Sequence, residues 1–309
     1  MSGGFLEQMA RSSTDRAERA RARVPYGEML ARARDSAPAP RLVLHPRGFD
    51  LIAELKLRSP AAGRAAEVAA HSSGGRARDP AVPLAERVRD YARAGAAAVS
   101  VLTEPARFGG ALEHLESAVH ALGAARVPAM RKDFLVDPYQ VLEARAAGAG
   151  GVLVILRMLS EPQAEALLDC AQHMGLFVLL EAFDQADLAR AHGIVERRAG
   201  RASPADAQAR LLVGLNCRDL DTLQVVPGRL EALAGALPAS VPRVAESGVG
   251  SAADAASVAA AGYELALVGS ALMSGADPGA LVRDMLEEGR AAAARRRPAA
   301  PAPSRSLGA

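Results

Sequence analysis

From residue 49 onward the chain switches eight times between short β-prone runs and longer stretches of helical periodicity. The runs lie at 49–56, 97–103, 127–132, 151–156, 177–181, 211–216, 241–247 and 265–269, with amphipathic stretches such as 83–94, 138–147, 161–174 and 252–261 between them. Strands joined by helix-length connections pair in parallel, because a tight turn can only bring antiparallel strands together. Eight βα units in about 250 residues fit one closed (β/α)8 barrel better than two open sheets. The expected fold is therefore α/β, a single TIM barrel.

The runs share a second regularity. Seven of the eight, all but 151–156, finish on a polar or small residue: Glu54 and Lys56, Thr103, Lys132, Glu181, Asn216, Glu246 with Ser247, and Gly269 with Ser270. In this barrel the C-terminal strand ends converge on the active site, so these residues are expected to share one mouth. The flanks read differently. Residues 1–45 form a helical extension expected to cover the bottom or side of the barrel, and 46–290 form the catalytic barrel. The Ala/Pro/Arg-rich tail, 291–309, lacks a periodic apolar face and is expected to be disordered. Segments 65–80 and 194–208 carry Gly, Ser, Pro and Arg without strand character and read as extended loops.

Composition narrows the chemistry. The 37 basic residues resolve into 35 Arg and only two Lys, Lys56 and Lys132. Arg stays charged, whereas Lys can be tuned by its surroundings to release or accept a proton. A chain that writes Arg almost everywhere is expected to keep Lys only where an amine is needed. Aromatic residues make up 3%, Trp is absent and the net charge is +2, which argues against nucleic-acid binding. Cys170 and Cys217 are too few for a disulfide framework, and no Cys/His spacing suits zinc. No apolar run reaches the length of a membrane span, and Glu7, Asp15 and Glu18 interrupt the Arg-rich start, so a cytoplasmic setting is expected.

Glu54 and Lys56, two apart on one strand, leave the same face and place an acid beside an amine inside the barrel mouth. Lys132 directly follows Arg131, so a generic cation was already acceptable there. The position is expected to need a proton donor, its pKa brought down toward the working range by neighbouring positive charge. Glu181 ends an apolar strand, a setting suited to acid or base work. Small residues at 246–250 and 268–270 follow the seventh and eighth runs, where this barrel commonly binds phosphate. His45, His71, His114, His120, His173 and His192 are scattered over connectors and helices, which excludes a His-based triad. Cys217 reads as an inert core residue.

Several strings resemble the indole-3-glycerol phosphate synthase family. They are Ile52-Ala53-Glu54-Leu55-Lys56 with Ser59-Pro60, Ser100-Val101-Leu102-Thr103-Glu104-Pro105 with Phe108 and Gly110, and Arg131-Lys132-Asp133-Phe134 with Asp137-Pro138-Tyr139-Gln140. Glu181, Gly214-Leu215-Asn216-Cys217-Arg218-Asp219-Leu220, Glu246-Ser247-Gly248 and Val268-Gly269-Ser270 complete them. The resemblance implies a carboxy-lyase of tryptophan biosynthesis. Such an enzyme closes the ring of 1-(2-carboxyphenylamino)-1-deoxyribulose 5-phosphate to indole-3-glycerol phosphate, carbon dioxide and water.

The same resemblance implies Lys132 as general acid and Glu181 as general base, Lys56 on the substrate carboxylate, and Glu54 and Asn216 as orienting groups. Ser59, Phe108, Phe134, Arg218, Glu246 and Ser247 would line the substrate pocket, and Gly248, Gly269 and Ser270 would hold the phosphate. It implies a phosphorylated small-molecule substrate, no metal or organic cofactor and no nucleic-acid or membrane partner. A monomer is expected, with association to other tryptophan-pathway enzymes left open. Leu57, Ala61, Gly150 and Phe183 depart from the family pattern without removing a catalytic group. Two alternatives stand beside this reading: a Schiff-base aldolase using Lys56 or Lys132, and a non-catalytic barrel that binds a phosphorylated metabolite.

Overall fold

The computed structural model describes residues 4–46, 48–56, 81–199, 211–220 and 222–296. Eight strands close a parallel barrel in sequence order: β1 Asp50–Leu55, β2 Ala98–Leu102, β3 Ala129–Lys132, β4 Gly151–Ile155, β5 Phe177–Ala182, β6 Leu211–Asn216, β7 Arg243–Glu246 and β8 Leu265–Val268. Residue alternation sorts their side chains into two layers. Leu51, Ala53 and Leu55 face the surrounding helices, whereas Ile52, Met130, Leu153, Leu179, Leu212, Val244 and Leu265 fill the interior. Two residues further along β1, β3, β5 and β7, the same inward face carries Glu54, Lys132, Glu181 and Glu246. An apolar floor thus lies directly beneath a charged mouth.

The N-terminal extension comprises α1, Phe5–Arg23, and α2, Tyr26–Asp35. Helix α1 does not sit at the bottom or side, as its sequence suggested. It lies across the mouth, where Arg16 forms a two-point ion pair with Asp133 just beyond β3 and Phe5 and Leu6 reach the cavity. Helix α2 packs Met29 and Ala33 against Tyr139 and Leu142 of the helix Pro138–Ala146. The Tyr139 hydroxyl is directed at the Val24 and Ala20 carbonyls, at 2.8 and 3.1 Å. The connector after α2 goes underneath, where Leu42 joins the interior cluster that contains Phe177, the first residue of β5.

Two boundaries also differ from expectation. The helix Gln185–Ala199 runs through 194–199, read from sequence as loop, and buries Ile194 and Val195. The helix Pro278–Arg296 runs through 291–296, placed in the tail by sequence, and buries Ala292 and Ala293. Where alanine fills both faces of a helix, the apolar stripe has too little contrast to be seen. The loop read at 65–80, the tail from 297 and Ser59 lie outside the described residues. Among the described residues, no helix is long and apolar enough to cross a membrane.

Candidate active site

The mouth holds a cavity of about 380 Å³. It is lined by Glu54, Lys56, Phe108, Lys132, Phe134, Glu181, Asn216, Arg218, Glu246, Ser247, Gly248, Gly269 and Ser270, which are all the site residues singled out above except Ser59. Four of the chain's six Phe residues, Phe5, Phe108, Phe134 and Phe183, also face it. Phe134 stands edge-on to Phe5 at 5.9 Å and tilted against Phe108 at 6.2 Å, giving the cavity an aromatic wall. The rest of the lining carries charge. Such a space suits a molecule with an aryl group at one end and anionic groups at the other.

Glu54 anchors both lysines. Its carboxylate pairs with Lys56 Nζ at 2.9 Å and with Lys132 Nζ at 3.9 Å, and Lys56 also donates to Ser270 Oγ at 3.1 Å. Burial favours the neutral form of Glu54, but the two lysines outweigh it and hold the carboxyl below its usual range. Gly269 makes this placement possible, because a Cβ there would lie 2.3 Å from Glu54 Oε1. Gly269→Ala is therefore expected to displace the anchor and lower kcat/KM by about a hundredfold. Steady-state kinetics, with circular dichroism as the folding control, checks this; full activity would show that Glu54 need not hold its position.

Lys132 behaves differently from expectation. Burial would ease its proton off, but Glu181, Glu54 and Glu246 outweigh both burial and Arg218 and push the amine up to about 12. The adjacent Arg131 points to the other side of β3 and lowers nothing there. Its guanidinium is bound by Thr103, the Gln140 carbonyl, Glu143 and Asp133 at 2.8–3.3 Å. Asp133 is buried between Arg131 and Arg16, and although burial opposes it, these partners hold its carboxyl down at about 2.

Local capping explains several of the motif strings. Glu104 accepts hydrogen bonds from the backbone N–H groups of Ala106, Arg107 and Phe108, which fixes Phe108 at the cavity. Asp137 and Gln140 form a capping box with Pro138 at the start of the helix Pro138–Ala146, and Gln140 also donates to Ser13 of α1 at 2.8 Å. At the end of β6, Asn216 Nδ2 donates to Glu181 Oε1 at 2.6 Å while its Oδ1 accepts from Arg218 N at 2.9 Å. Ser247 takes a positive φ of 65°, uncommon for a residue with a side chain, directly before Gly248 at φ 76°. Buried Cys217 donates to the Ser247 carbonyl at 3.3 Å.

Sequence reasoning missed Phe5, Leu6 and Phe183 as cavity residues. The concentration of phenylalanines was available as a signal of the same kind as the scarcity of lysines. Phe183 is buried beneath the Arg157 guanidinium, 5.1 Å from its ring centroid. Among the described residues, no group of three or more His, Cys, Asp or Glu is placed to hold a metal ion.

The family model for Indole-3-glycerol phosphate synthase matches residues 6–285. The chain belongs to the indole-3-glycerol phosphate synthase family. It is 41% identical over 258 residues to the indole-3-glycerol phosphate synthase of Parafrankia sp. (strain EAN1pec), covering 82% of this chain and 85% of that protein. It is 39% identical over 277 residues to indole-3-glycerol phosphate synthase 1 of Streptomyces coelicolor, covering 89% and 91%. Among solved structures, the N-acetylneuraminic acid synthetase of Leptospira borgpetersenii aligns with a TM-score of 0.55 at 13% identity, covering 87% of this chain and 94% of that one. The 3-hexulose-6-phosphate synthase of Salmonella typhimurium aligns at 0.52 and 14%, covering 81% and 100%. Those two similarities are of fold alone, whereas membership of the synthase family brings the carboxy-lyase activity.

Proposed function

We propose that this synthase closes the indole ring of 1-(2-carboxyphenylamino)-1-deoxyribulose 5-phosphate with Lys132 as general acid and Glu181 as general base. The observation that carries the reading is the meeting of the chain's only two lysines around buried Glu54, in a cavity that also holds Glu181 and an aromatic wall. The aryl carbon bearing the carboxylate attacks the ketone carbon while Lys132 delivers a proton to the ketone oxygen. Carbon dioxide leaves as its bond to the ring breaks, and those electrons restore aromaticity. The new hydroxyl then departs as water, with Lys56 assisting proton transfer, and Glu181 takes the proton lost from the methylene carbon beside nitrogen.

Glu54 and Asn216 orient these groups. Phe108 and Phe134 pack on the aryl ring, Arg218, Glu246 and Ser247 line the remaining pocket, and Gly248, Gly269 and Ser270 receive the phosphate. Lys56 sits between Glu54 and Ser270, so it stands close to the phosphate end as well as to the carboxylate it is proposed to hold. Ser59 is assigned to the pocket on the family strings alone. A cytoplasmic monomer fits this small-molecule chemistry.

The Schiff-base alternative needs a neutral amine, and the Glu181 and Glu54 carboxylates around Lys132 keep it charged. Expression in a tryptophan auxotroph that lacks its own synthase is expected to restore growth. Tight binding of the phosphorylated substrate without rescue would instead favour a metabolite-binding barrel.

A further inference from the structure

Glu246 on β7 and Glu181 on β5 do not belong to neighbouring strands, yet both carboxyl groups turn into the same cavity, close enough for the charge of one to act on the other. They meet over β6, above Gly214, which is the β6 residue in register with Glu181. The meeting depends on that glycine, since a Cβ at 214 would lie 2.0 Å from Glu246 Oε1. Both side chains are buried, with Glu181 2% and Glu246 1% exposed. Asn216 donates to Glu181 Oε1, whereas among the described residues neither oxygen of Glu246 has a donor. The lysines of the site form their ion pairs with Glu54 instead.

Two carboxylates brought together over one glycine and out of water, one of them without a donor, repel each other too strongly for both to stay charged, so the pair must hold one proton. We propose that Glu246 is a neutral carboxylic acid in the resting enzyme and donates its proton to Glu181, the two acting as one proton-sharing pair during loss of water. The Asn216 amide already satisfies Glu181 as an acceptor, which leaves the proton on Glu246. The other charged groups of the cavity are Lys132 from β3 with Asp133 beyond it, Glu54 and Lys56 from β1, Arg218 after β6 and Asp254 after β7. Burial and Glu181 together raise the Glu246 carboxyl well above its ordinary range, and Lys132 opposes them without prevailing.

Two consequences follow for the reaction. With Glu246 neutral, the cavity presents one negative charge fewer to an anionic substrate, and Asp133 of its lining is already taken up by Arg16 and Arg131. When Glu181 takes the methylene proton, the pair holds two protons and no charge. It returns to the resting state by releasing one to solvent. This role rests on the assignment of Glu181 as base, but the protonation of the resting pair can be measured without turnover.

Infrared spectra of the full chain at neutral pH, in water and in deuterium oxide, supply that measurement. The wild type is expected to show the C=O stretch of a protonated carboxyl, shifted by deuteration and absent from Glu246→Gln. No such band in the wild type, or its survival in the variant, would overturn the proposal. If the variant fails to fold, titration of the wild-type band decides: it must persist above the ordinary carboxylate range and vanish as pH rises further.

Stability gives an independent reading. A raised native pKa means that the folded chain holds this proton more tightly than the unfolded chain. Wild-type stability should therefore fall as pH rises from the ordinary carboxylate range through the native value of Glu246, and Glu246→Gln should lack that loss. Equal slopes in the two proteins would contradict the pair. A wild type that shows the band but makes no indole product leaves the pair standing and removes the synthase assignment.

Discussion

Replacing Lys132 by Arg is expected to lower kcat by about a hundredfold to ten-thousandfold, the usual contribution of a positioned general acid, with KM changed far less. Charge is kept in this variant, so the loss isolates what only an amine provides. A guanidinium cannot release its proton at any working pH, and its planar fork does not fit the place of a compact ammonium. Lys132 is itself held up at about 12, against burial, chiefly by Glu181 and Glu54, so it stays charged across the neutral range. Its own ionisation therefore leaves no limb in the neutral part of the pH–rate profile. Steady-state kinetics with indole fluorescence as the signal checks this, and an Arg variant with full kcat would remove Lys132 from the acid role.

Asp133→Asn is expected to cost about 3–5 kcal/mol of folding stability, the range for removing one member of a buried ion pair. Asp133 is fully buried, takes both hydrogen bonds of the Arg16 fork at 2.8 Å and accepts from Thr103 Oγ1 at 2.8 Å. Removing its charge leaves Arg131, only 4% exposed, with Glu143 as its remaining anionic partner, and loosens α1 from the mouth.

The linkage has a definite sign. The Asp133 carboxyl falls from its ordinary value of 3.8 to about 2 in the folded chain. Its contribution, about 2 kcal/mol, is therefore present above pH ~4 and lost as pH falls through ~2. Chemical denaturation of the wild type should weaken over that acid window, and the Asn variant should be less stable at neutral pH with a flatter acid dependence. A variant as stable as the wild type would mean that α1 docks without this ion pair.

How much could be read in advance depended on the range of the interaction. The barrel was legible because nearly every strand carries its own record, apolar first and polar or small last, as in the run from Phe177 to Glu181. The strings around Glu104 and Asp137 stood out only as family strings, and the structure shows that they are local helix caps. The destination of α1 was not, because Arg16 finds its partner 117 residues away and the polar helix around it gives no direction. The charge state of Lys132 could not be read from its neighbour Arg131 either. Alternation turns Arg131 outward, and closure of the barrel brings Glu54, Glu181 and Glu246 from three other strands to the amine. Contacts between strands distant in sequence decide the electrostatics of the mouth, and only the closed barrel supplies them.

The central claim is that this cavity joins an aryl carbon to a ketone and expels a carboxylate from the same molecule. It is tested most directly by supplying purified protein with 1-(2-carboxyphenylamino)-1-deoxyribulose 5-phosphate and measuring released carbon dioxide and fluorescent indole product in one reaction. Equal amounts of the two, formed at the same rate by the wild type and lost together in Lys132→Arg, are the predicted result. Substrate bound without carbon dioxide, or consumed with no indole formed, would contradict it.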